Sequence, residues 1–186
     1  MSTADHIRQV MAELDRTLGA VATDDVERLV DMILSARRVF VAGAGRSGLA
    51  MKAFAMRLMH LGLRAYVVGE MVTPAMTADD LLLIGSGSGE TASLVAMAEK
   101  VRALKARLAL VTIVADSRIG RLAEAVVAIP APSPKARAQH GVTSVQPMGS
   151  LFEQSLLILL DVVVLRLMEQ QKTDSAAMFE RHANLE

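Results

Sequence analysis

The chain has 186 residues, enough for one domain with a sizeable hydrophobic core. Its 20 basic and 20 acidic residues balance, and it has no Trp and one Tyr, so its composition favours neither nucleic-acid nor anionic-membrane binding. The absence of Cys excludes disulfides, thiolate catalysis and Cys-ligated metals. The first ten residues include Asp5, His6 and Arg8, which argues against a signal peptide and for a cytoplasmic protein. The longest apolar run, residues 156–168, is too short to span a membrane.

Two helices are predicted before the first strand. Residues 3–17 carry apolar side chains at helical spacing, and a second helix is predicted from Thr23 through residue 34. Residues 38–42 form the first predicted strand. The two helices are therefore expected to cover the sheet or to pack against another subunit.

A glycine-rich turn, Gly43-Ala44-Gly45-Arg46-Ser47-Gly48, follows the first strand, and a helix is predicted after it over residues 49–61. Its glycine spacing matches the dinucleotide fingerprint, and Glu70 lies about where a ribose-binding carboxylate is expected. A dinucleotide-binding domain would take up the whole chain and leave no residues for a substrate domain. In the alternative interpretation, Ser47 and the backbone amides bind sugar hydroxyls or a phosphate, and Arg46 supplies positive charge.

The loop Gly85-Ser86-Gly87-Ser88-Gly89-Glu90-Thr91 is the most informative stretch of the sequence. It lies between an apolar strand predicted at residues 81–84 and a helix predicted at residues 92–104. Unpartnered N–H groups at the helix start, close backbone approach at glycines and serine hydroxyls together suit a phosphate. The simpler alternative is that Ser88 or Thr91 only caps the helix. Three glycines alternating with two serines favour the ligand loop.

The rest of the chain continues the alternation of strands and helices. Strands are predicted at residues 64–68, 109–114 and 125–129, and helices at residues 119–124, 149–171 and 174–182. Prolines open a long loop over residues 130–147, which contains Lys135, Arg137 and His140. A loop of this length in a compact domain is typical of a functional or mobile segment.

This alternation predicts an α/β fold in three layers, an open five-stranded parallel sheet with helices on both faces. Ligands of such sheets bind beyond the C-terminal ends of the strands, where the strand order reverses, and both glycine-rich turns belong to that edge. A single domain is predicted over residues 1–186. Its N-terminal helices occupy residues 1–36, its sheet core residues 37–130 and its C-terminal helices residues 148–186.

Glu153 has two interpretations. Ser150 and Glu153 are three residues apart at the start of a predicted helix, the spacing of a capping box, and spacing alone favours that structural role. In the functional interpretation Glu153 is a general base beside the ligand cleft. Periodicity cannot decide between them.

Four stretches together resemble the 6-phospho-3-hexuloisomerase family, which is part of the sugar isomerase (SIS) superfamily. They are residues 43–48, residues 85–91, the run Val145-Gln146-Pro147-Met148-Gly149-Ser150-Leu151-Phe152-Glu153-Gln154, and the C-terminal Arg181-His182-Ala183-Asn184-Leu185-Glu186. The first two are shared by many SIS proteins, whereas the last two are more specific. The resemblance extends over essentially the whole chain.

The resemblance implies a flavodoxin-like sheet, a homotetramer and a cytoplasmic enzyme. The implied reaction is the reversible conversion of D-arabino-3-hexulose 6-phosphate to fructose 6-phosphate through a cis-enediolate. This is the second step of the ribulose monophosphate pathway of formaldehyde fixation, after 3-hexulose-6-phosphate synthase. No metal and no other cofactor is expected, because one carboxylate can serve both adjacent carbons while hydrogen-bond donors hold the enediolate.

The resemblance also assigns expected roles to individual residues. Glu153 is the expected base. The histidines are weighed separately: His60 is a candidate catalytic residue because His is the commonest acid–base side chain, and His182, in the C-terminal stretch, is a candidate proton shuttle that reaches a neighbouring subunit's cleft. His140, in the long loop, is open to either a catalytic or a structural interpretation. The expected substrate- and phosphate-binding residues are Gly45, Arg46, Ser47, Ser86, Gly87, Ser88 and Thr91.

Three other functions are compatible with parts of the pattern. Another SIS isomerase, acting on arabinose 5-phosphate or a heptose phosphate, would keep both loops but differ in residues 145–154. A sugar-phosphate sensor would bind without turnover, although such sensors usually carry a DNA-binding domain. A dinucleotide protein would bind NAD.

Overall fold

A computed structural model describes residues 1–132 and 143–185 of the chain. The helices are α1 (Thr3–Gly19), α2 (Thr23–Ser35), α3 (Gly45–His60), α4 (Ala92–Ala103), α5 (Arg118–Leu122), α6 (Ser150–Gln171) and α7 (Ser175–Phe179). The strands are β1 (Val39–Gly43), β2 (Ala65–Val67), β3 (Leu81–Gly85), β4 (Arg107–Thr112) and β5 (Ala125–Ala128). Lys135, Arg137, His140 and Glu186 lie outside the described residues.

The five strands form one parallel sheet in the order β2-β1-β3-β4-β5. This is the flavodoxin-like order, so the predicted fold class is confirmed. The order reverses between β1 and β3, which pair directly, with Gly43 opposite Gly85. The two glycine-rich turns therefore leave the sheet side by side at the switch point, where such folds bind their ligands.

Each face of the sheet has its own hydrophobic core. Alternate strand residues such as Val41 and Leu83 pack on one face, under α1, α2, α3 and α6. Their neighbours Ala42 and Leu82 pack on the other face, under α4 and α5. Successive strand side chains point to opposite faces, so strands covered on both sides are apolar throughout. This arrangement gives the three predicted layers.

The helix after β1 begins four residues earlier than predicted. Residues 45–48 form the first turn of α3 rather than a free loop, and Gly45 begins that turn with a φ of +57°. A side chain is rarely accommodated at such an angle, which explains the glycine. Consequently Arg46 and Ser47 are carried by a helix start and have fixed positions.

The fourth strand also begins earlier than predicted, at Arg107 rather than residue 109. α4 ends with Lys105 in the left-handed conformation, at a φ of +58°, and Ala106 N then donates to Val101 O. Glycine usually occupies such a helix-terminating position, so a Lys there gave no signal in the sequence.

α6 is the longest helix, and Leu156, Leu160 and Val163 on its inner side are fully buried. Its outer side exposes a second set of apolar residues, Leu157, Ile158, Val162 and Leu165. α3, its neighbour, exposes Leu49, Met56 and Met59. Within the described part of the chain, no helix combines the length and apolarity that a membrane span requires.

The last glycine of the first turn is required by close packing. A Cβ at Gly48 would lie 2.7 Å from Gly43 O, an atom of the β1 backbone. We expect Gly48→Ala to lower the free energy of unfolding by about 1–3 kcal/mol, because α3 must move away from β1. Gly19→Ala is the matched control, since a Cβ there meets nothing within 4 Å. Urea unfolding of both variants at one protein concentration measures the difference, and equal stabilities would show that the contact relaxes freely.

Candidate functional site

Arg46 joins the first glycine turn to the head of α6. Its Nη1 donates to Ser150 Oγ at 3.0 Å and lies 3.1 Å from Glu153 Oε2. These residues are more than 100 positions apart in the sequence. The Arg46 side chain is 56% exposed and that of Glu153 22%, so the pair borders an open space. The contact places a carboxylate and a guanidinium together beside the switch point.

The capping-box interpretation of Ser150 and Glu153 is wrong. Gly149 is the N-cap of α6 and no side chain caps the helix. Ser150 is instead the first helical residue, and its hydroxyl accepts the hydrogen bond from Arg46. Glu153 lies one position beyond the capping-box site, and its carboxylate faces Arg46. Both side chains are therefore directed to the site rather than to their own helix end.

The loop of residues 85–91 lies against the same end of α6. A Cβ at Gly87 would be 3.3 Å from Phe152 Cδ1, and Phe152 precedes Glu153 in the chain. The loop is held from its other side, where Thr112 Oγ1 donates to Gly87 O at 3.1 Å. Arg118 N donates to the Glu90 carboxylate at 2.7 Å. The loop thus has a fixed shape between β4, α5 and α6.

The hydroxyls of this loop do not cap α4. Thr91 occupies the N-cap position, but its side chain makes no capping hydrogen bond. Ser88 Oγ accepts from Glu90 N at 3.2 Å, and the buried Ser86 Oγ accepts from Gly89 N at 3.3 Å. These bonds shape the turn ahead of the helix, so the simple capping alternative is not supported.

The remaining predicted residues of the first turn lie at the same place. Ser47 is buried in the first turn of α3, directly after Arg46. The helix starts of α3 and α4 follow neighbouring strands, so both present N–H groups and partial positive charge to one edge of the sheet. Glu70, the acid of the dinucleotide interpretation, has its Oε1 3.7 Å from Lys52 Nζ, and both side chains are exposed.

His60 and His182 form a separate cluster. Their rings stack with centroids 5.5 Å apart, and Arg181 Nη1 donates to His60 O at the end of α3. Arg57 Nη1 lies 3.3 Å from His60 Nδ1, which must accept because a guanidinium only donates. Burial, with the charges of Arg57 and His182, lowers the pKa of His60 below its ordinary value. His60 is therefore neutral at physiological pH.

This histidine cluster and Glu153 do not meet within one chain. Arg46 lies in the first turn of α3 and His60 is its last residue, which separates them by about 20 Å along the helix axis. Around the histidines, a cavity of about 450 Å³ lies between α3, α6 and α7, with Asp161 in its lining. The structure thus brings together the predicted carboxylate, Arg46 and both loops, and it places the two histidines elsewhere.

One charged residue that the sequence analysis did not single out is Glu13, a buried carboxylate of α1 bonded to residues 144–146. The only sequence signal for Glu13 was its position on α1, beside Leu14 and one helical turn before Thr17. All three residues are buried in the structure. No group of three His, Asp or Glu side chains suited to a metal ion occurs among residues 1–132 and 143–185.

The chain is similar to known proteins in sequence and in structure. The SIS domain model matches residues 32–158, which include both glycine-rich turns and Glu153. A protein from Bacillus subtilis named 3-hexulose-6-phosphate isomerase is 46% identical over all of both chains. A protein of the same name from Mycobacterium gastri is 42% identical over 98% of this chain and 90% of its own.

Among solved structures, a protein from Methanococcus jannaschii superposes with a TM-score of 0.84 at 30% identity. The match covers 98% of this chain and 99% of that one. Its crystal structure is described as inferring a molecular function of 3-hexulose-6-phosphate isomerase. The expected resemblance is thereby confirmed.

Proposed function

The chain belongs to the SIS domain family, and from this premise we propose that it interconverts D-arabino-3-hexulose 6-phosphate and fructose 6-phosphate. The observation that carries the proposal is the contact of Arg46 with Ser150 and Glu153 beside the loop of residues 85–91. It brings a carboxylate and a cation together near a loop of glycines and serines at the switch point, which supports a base and a phosphate site there. The full-length relatives named for this isomerase support the same reaction.

The chemistry requires a carbonyl to move from C3 to C2. Glu153 removes the proton from C2, the electron pair of that C–H bond forms the C2–C3 double bond, and the carbonyl oxygen on C3 becomes an enediolate oxygen. Glu153 then returns the proton to C3, because the two carbons are adjacent on one face. Arg46 and neighbouring donors hold the enediolate oxygens. The carbonyl re-forms at C2 as a second proton passes from its hydroxyl to the oxygen of C3.

The phosphate is assigned to the loop of residues 85–91. Ser86, Ser88 and Thr91 would donate hydroxyls, and Gly87 would donate its backbone N–H just ahead of α4, whereas the N–H of Gly89 already bonds Ser86 Oγ. Gly45 and Ser47 would complete the cradle from the start of α3. The Arg46 guanidinium contacts Glu153, and Arg46 precedes Ser47 in the chain, so its side chain would contact either the phosphate or the enediolate.

The proton transfer between oxygens is assigned to His60 and His182 of a second copy of the chain. A stripe of exposed apolar residues, Leu49, Met56 and Met59, runs along α3 from the Arg46 end to the His60 end. A two-fold axis across this stripe would pack two α3 helices antiparallel and bring one copy's His60 to the other copy's Arg46. Apolar surface of this extent, continued on α6, also favours an oligomer.

We propose a homotetramer in the cytoplasm, acting after 3-hexulose-6-phosphate synthase in the ribulose monophosphate pathway of formaldehyde fixation. The support is the shared name of the full-length relatives and the outer apolar faces of α3 and α6. The dinucleotide alternative is not favoured, because the SIS domain match includes the glycine turn on which it depended. No metal or other cofactor enters the proposed steps.

The reaction is tested with substrate made in situ. The synthase forms 3-hexulose 6-phosphate and is removed by filtration, a chelator is added, and the protein is supplied without nicotinamide. We expect rapid formation of fructose 6-phosphate. No turnover, with sugar phosphates still protecting the fold against heat, would point to another SIS substrate or to a sensor.

Ser88→Ala tests the phosphate loop. We expect the KM for the sugar phosphate to rise about 10- to 100-fold, because a hydroxyl bonded to a charged group contributes roughly 1.5–3 kcal/mol. The value of kcat should change little, since the phosphate is remote from C2 and C3. Initial rates give both constants, and thermal unfolding checks the fold. An unchanged KM with lower stability would leave Ser88 only its bond to Glu90 N in the turn.

A further inference from the structure

Glu13 is a buried carboxylate that the proposed mechanism does not use. It lies on α1 and is 6% exposed. Three donors from a distant segment bond to it: Ser144 Oγ at 2.7 Å, Val145 N at 2.8 Å and Gln146 Nε2 at 3.1 Å. A burial of this kind is costly for a charge unless hydrogen bonds replace the lost water. The three bonds supply that replacement.

The charge of Glu13 is retained on burial. Burial opposes ionisation, but the bonds from Ser144, Val145 and Gln146, with the charge of Arg16, outweigh it and lower the pKa of Glu13 below its ordinary value. The carboxylate therefore remains a strong acceptor at neutral pH, and charge-assisted bonds of this type are stronger than neutral ones.

The segment bound to Glu13 leads directly into the first turn of α6. Ser144 Oγ also accepts a hydrogen bond from Gln146 N at 3.0 Å, so residues 144–146, which we call the anchor segment, are also held by a bond of their own. Met148 then adopts a φ of +56°, which is costly for a residue with a side chain and persists only where the surroundings hold it. Ser150 N donates to Pro147 O, and Ser150 begins the helix.

The anchor segment is therefore connected to Glu153, the proposed base, through the short, tightly turned residues 147–149. Four residues separate Ser144 from Gly149, the N-cap of α6, and Glu153 lies in the next turn. Release of residues 144–146 from α1 would free the Met148 turn to relax. The first turn of α6 would then shift relative to Arg46.

We propose that Glu13 is a positioning residue for the reaction, because its carboxylate fixes residues 144–146 and through them the placement of Glu153. This inference rests on the proposed role of Glu153 as the base. Glu13 itself touches no substrate, so its effect is expected in kcat rather than in phosphate binding.

Glu13→Gln is the principal test. The amide keeps the size of the side chain but turns one acceptor oxygen into a donor that faces the donors of residues 144–146. We expect kcat to fall at least about tenfold, since small displacements of a catalytic group can cost up to ~10²-fold, and KM to stay within about twofold. Asp15→Asn is the matched control, an exposed carboxylate on the same helix.

Ser144→Ala keeps the proposal testable if Glu13→Gln folds poorly. It removes one donor to Glu13 without altering α1, so a smaller fall in kcat is expected at constant KM. In the Glu13→Gln background it should add little, because both changes break the same anchor. Additive losses would show that the two residues act separately and would overturn the inference.

The outcomes separate this inference from the proposed function. Wild-type turnover together with unchanged kcat in both variants, even at lower stability, would overturn the positioning role alone. Absence of turnover in the wild-type protein would overturn the proposed function and this inference with it. Loss of folded protein lowers the apparent kcat without raising KM, so the folded fraction of each variant is measured by circular dichroism at the assay temperature. A fall in kcat that unfolded protein fully accounts for, or a rise in KM equal to the fall in kcat, would overturn the positioning role.

Discussion

Glu153→Gln is expected to reduce isomerisation about 10²–10⁴-fold, the usual contribution of a general base. The amide has nearly the same shape as the carboxylate and keeps an oxygen to accept from Arg46. It cannot take the proton from C2, so the loss should fall on kcat. Binding of fructose 6-phosphate, measured by its protection against thermal unfolding, should remain close to that of the wild-type protein.

The control for this change is Glu169→Gln, an exposed carboxylate near the other end of α6 whose partner is Arg166. It should leave kcat and KM unaltered. A second readout follows the proton directly: the wild-type protein should exchange the C3 hydrogen of fructose 6-phosphate with D₂O, and the Glu153→Gln variant should not. Near wild-type turnover or exchange in that variant would remove Glu153 from its role as base.

The sheet and its order of layers could be predicted from the sequence because they depend on local patterns. Residues 81–84 are continuously apolar, and in the structure β3 is buried along its whole length at the centre of the sheet. Glycine turns after two strands were enough to predict that both turns meet at one edge of the sheet, and Gly43 lies opposite Gly85 there. The main errors were at element boundaries, where Gly45 and Lys105 take left-handed angles that the pattern does not reveal.

Each candidate residue of the site could be predicted from the sequence. Which of these residues contact one another could not be predicted, because the contacts join distant parts of the chain. Their spacing favoured a capping role for Ser150 and Glu153, because a capping box and a catalytic carboxylate near a helix start can have the same sequence pattern. The deciding contact comes from Arg46, more than 100 residues earlier. Glu13 gave only a weak signal, a charged residue on a buried helix face, and its partners lie over 130 residues away.

The structure places the two candidate histidines away from Glu153 within one chain. Both were named from the sequence, and the structure stacks them at one end of α3, opposite to the end that carries Arg46. The C-terminal position of His182 suggested that it serves a neighbouring copy, whereas no sequence pattern indicated which copy His60 serves. Their roles therefore remain predictions that depend on an assembly of chains.

His60→Asn is expected to reduce kcat strongly, by about 10²-fold or more, if its imidazole moves the proton between the substrate oxygens. Every copy in the oligomer carries this substitution, so the loss is the same whether His60 acts in its own chain's site or in that of a second copy. Mixed oligomers distinguish the two arrangements. Subunits with Glu153→Gln are combined with subunits with His60→Asn by co-expression under two affinity tags, and light scattering confirms that each variant keeps the wild-type size.

If each site takes Glu153 from one copy and His60 from its two-fold mate, a mixed pair contains one site with both native residues and one with neither. Random pairing at equal amounts makes half of the pairs mixed, so about a quarter of wild-type activity should return. If both residues act within one chain, every site in the mixture lacks one of them, and no activity should return. The roughly 20 Å between the two ends of α3 favours the first result. A mixture as inactive as its components, with mixed oligomers demonstrated by the two tags, would exclude the antiparallel pairing of α3 helices as the source of the catalytic histidine.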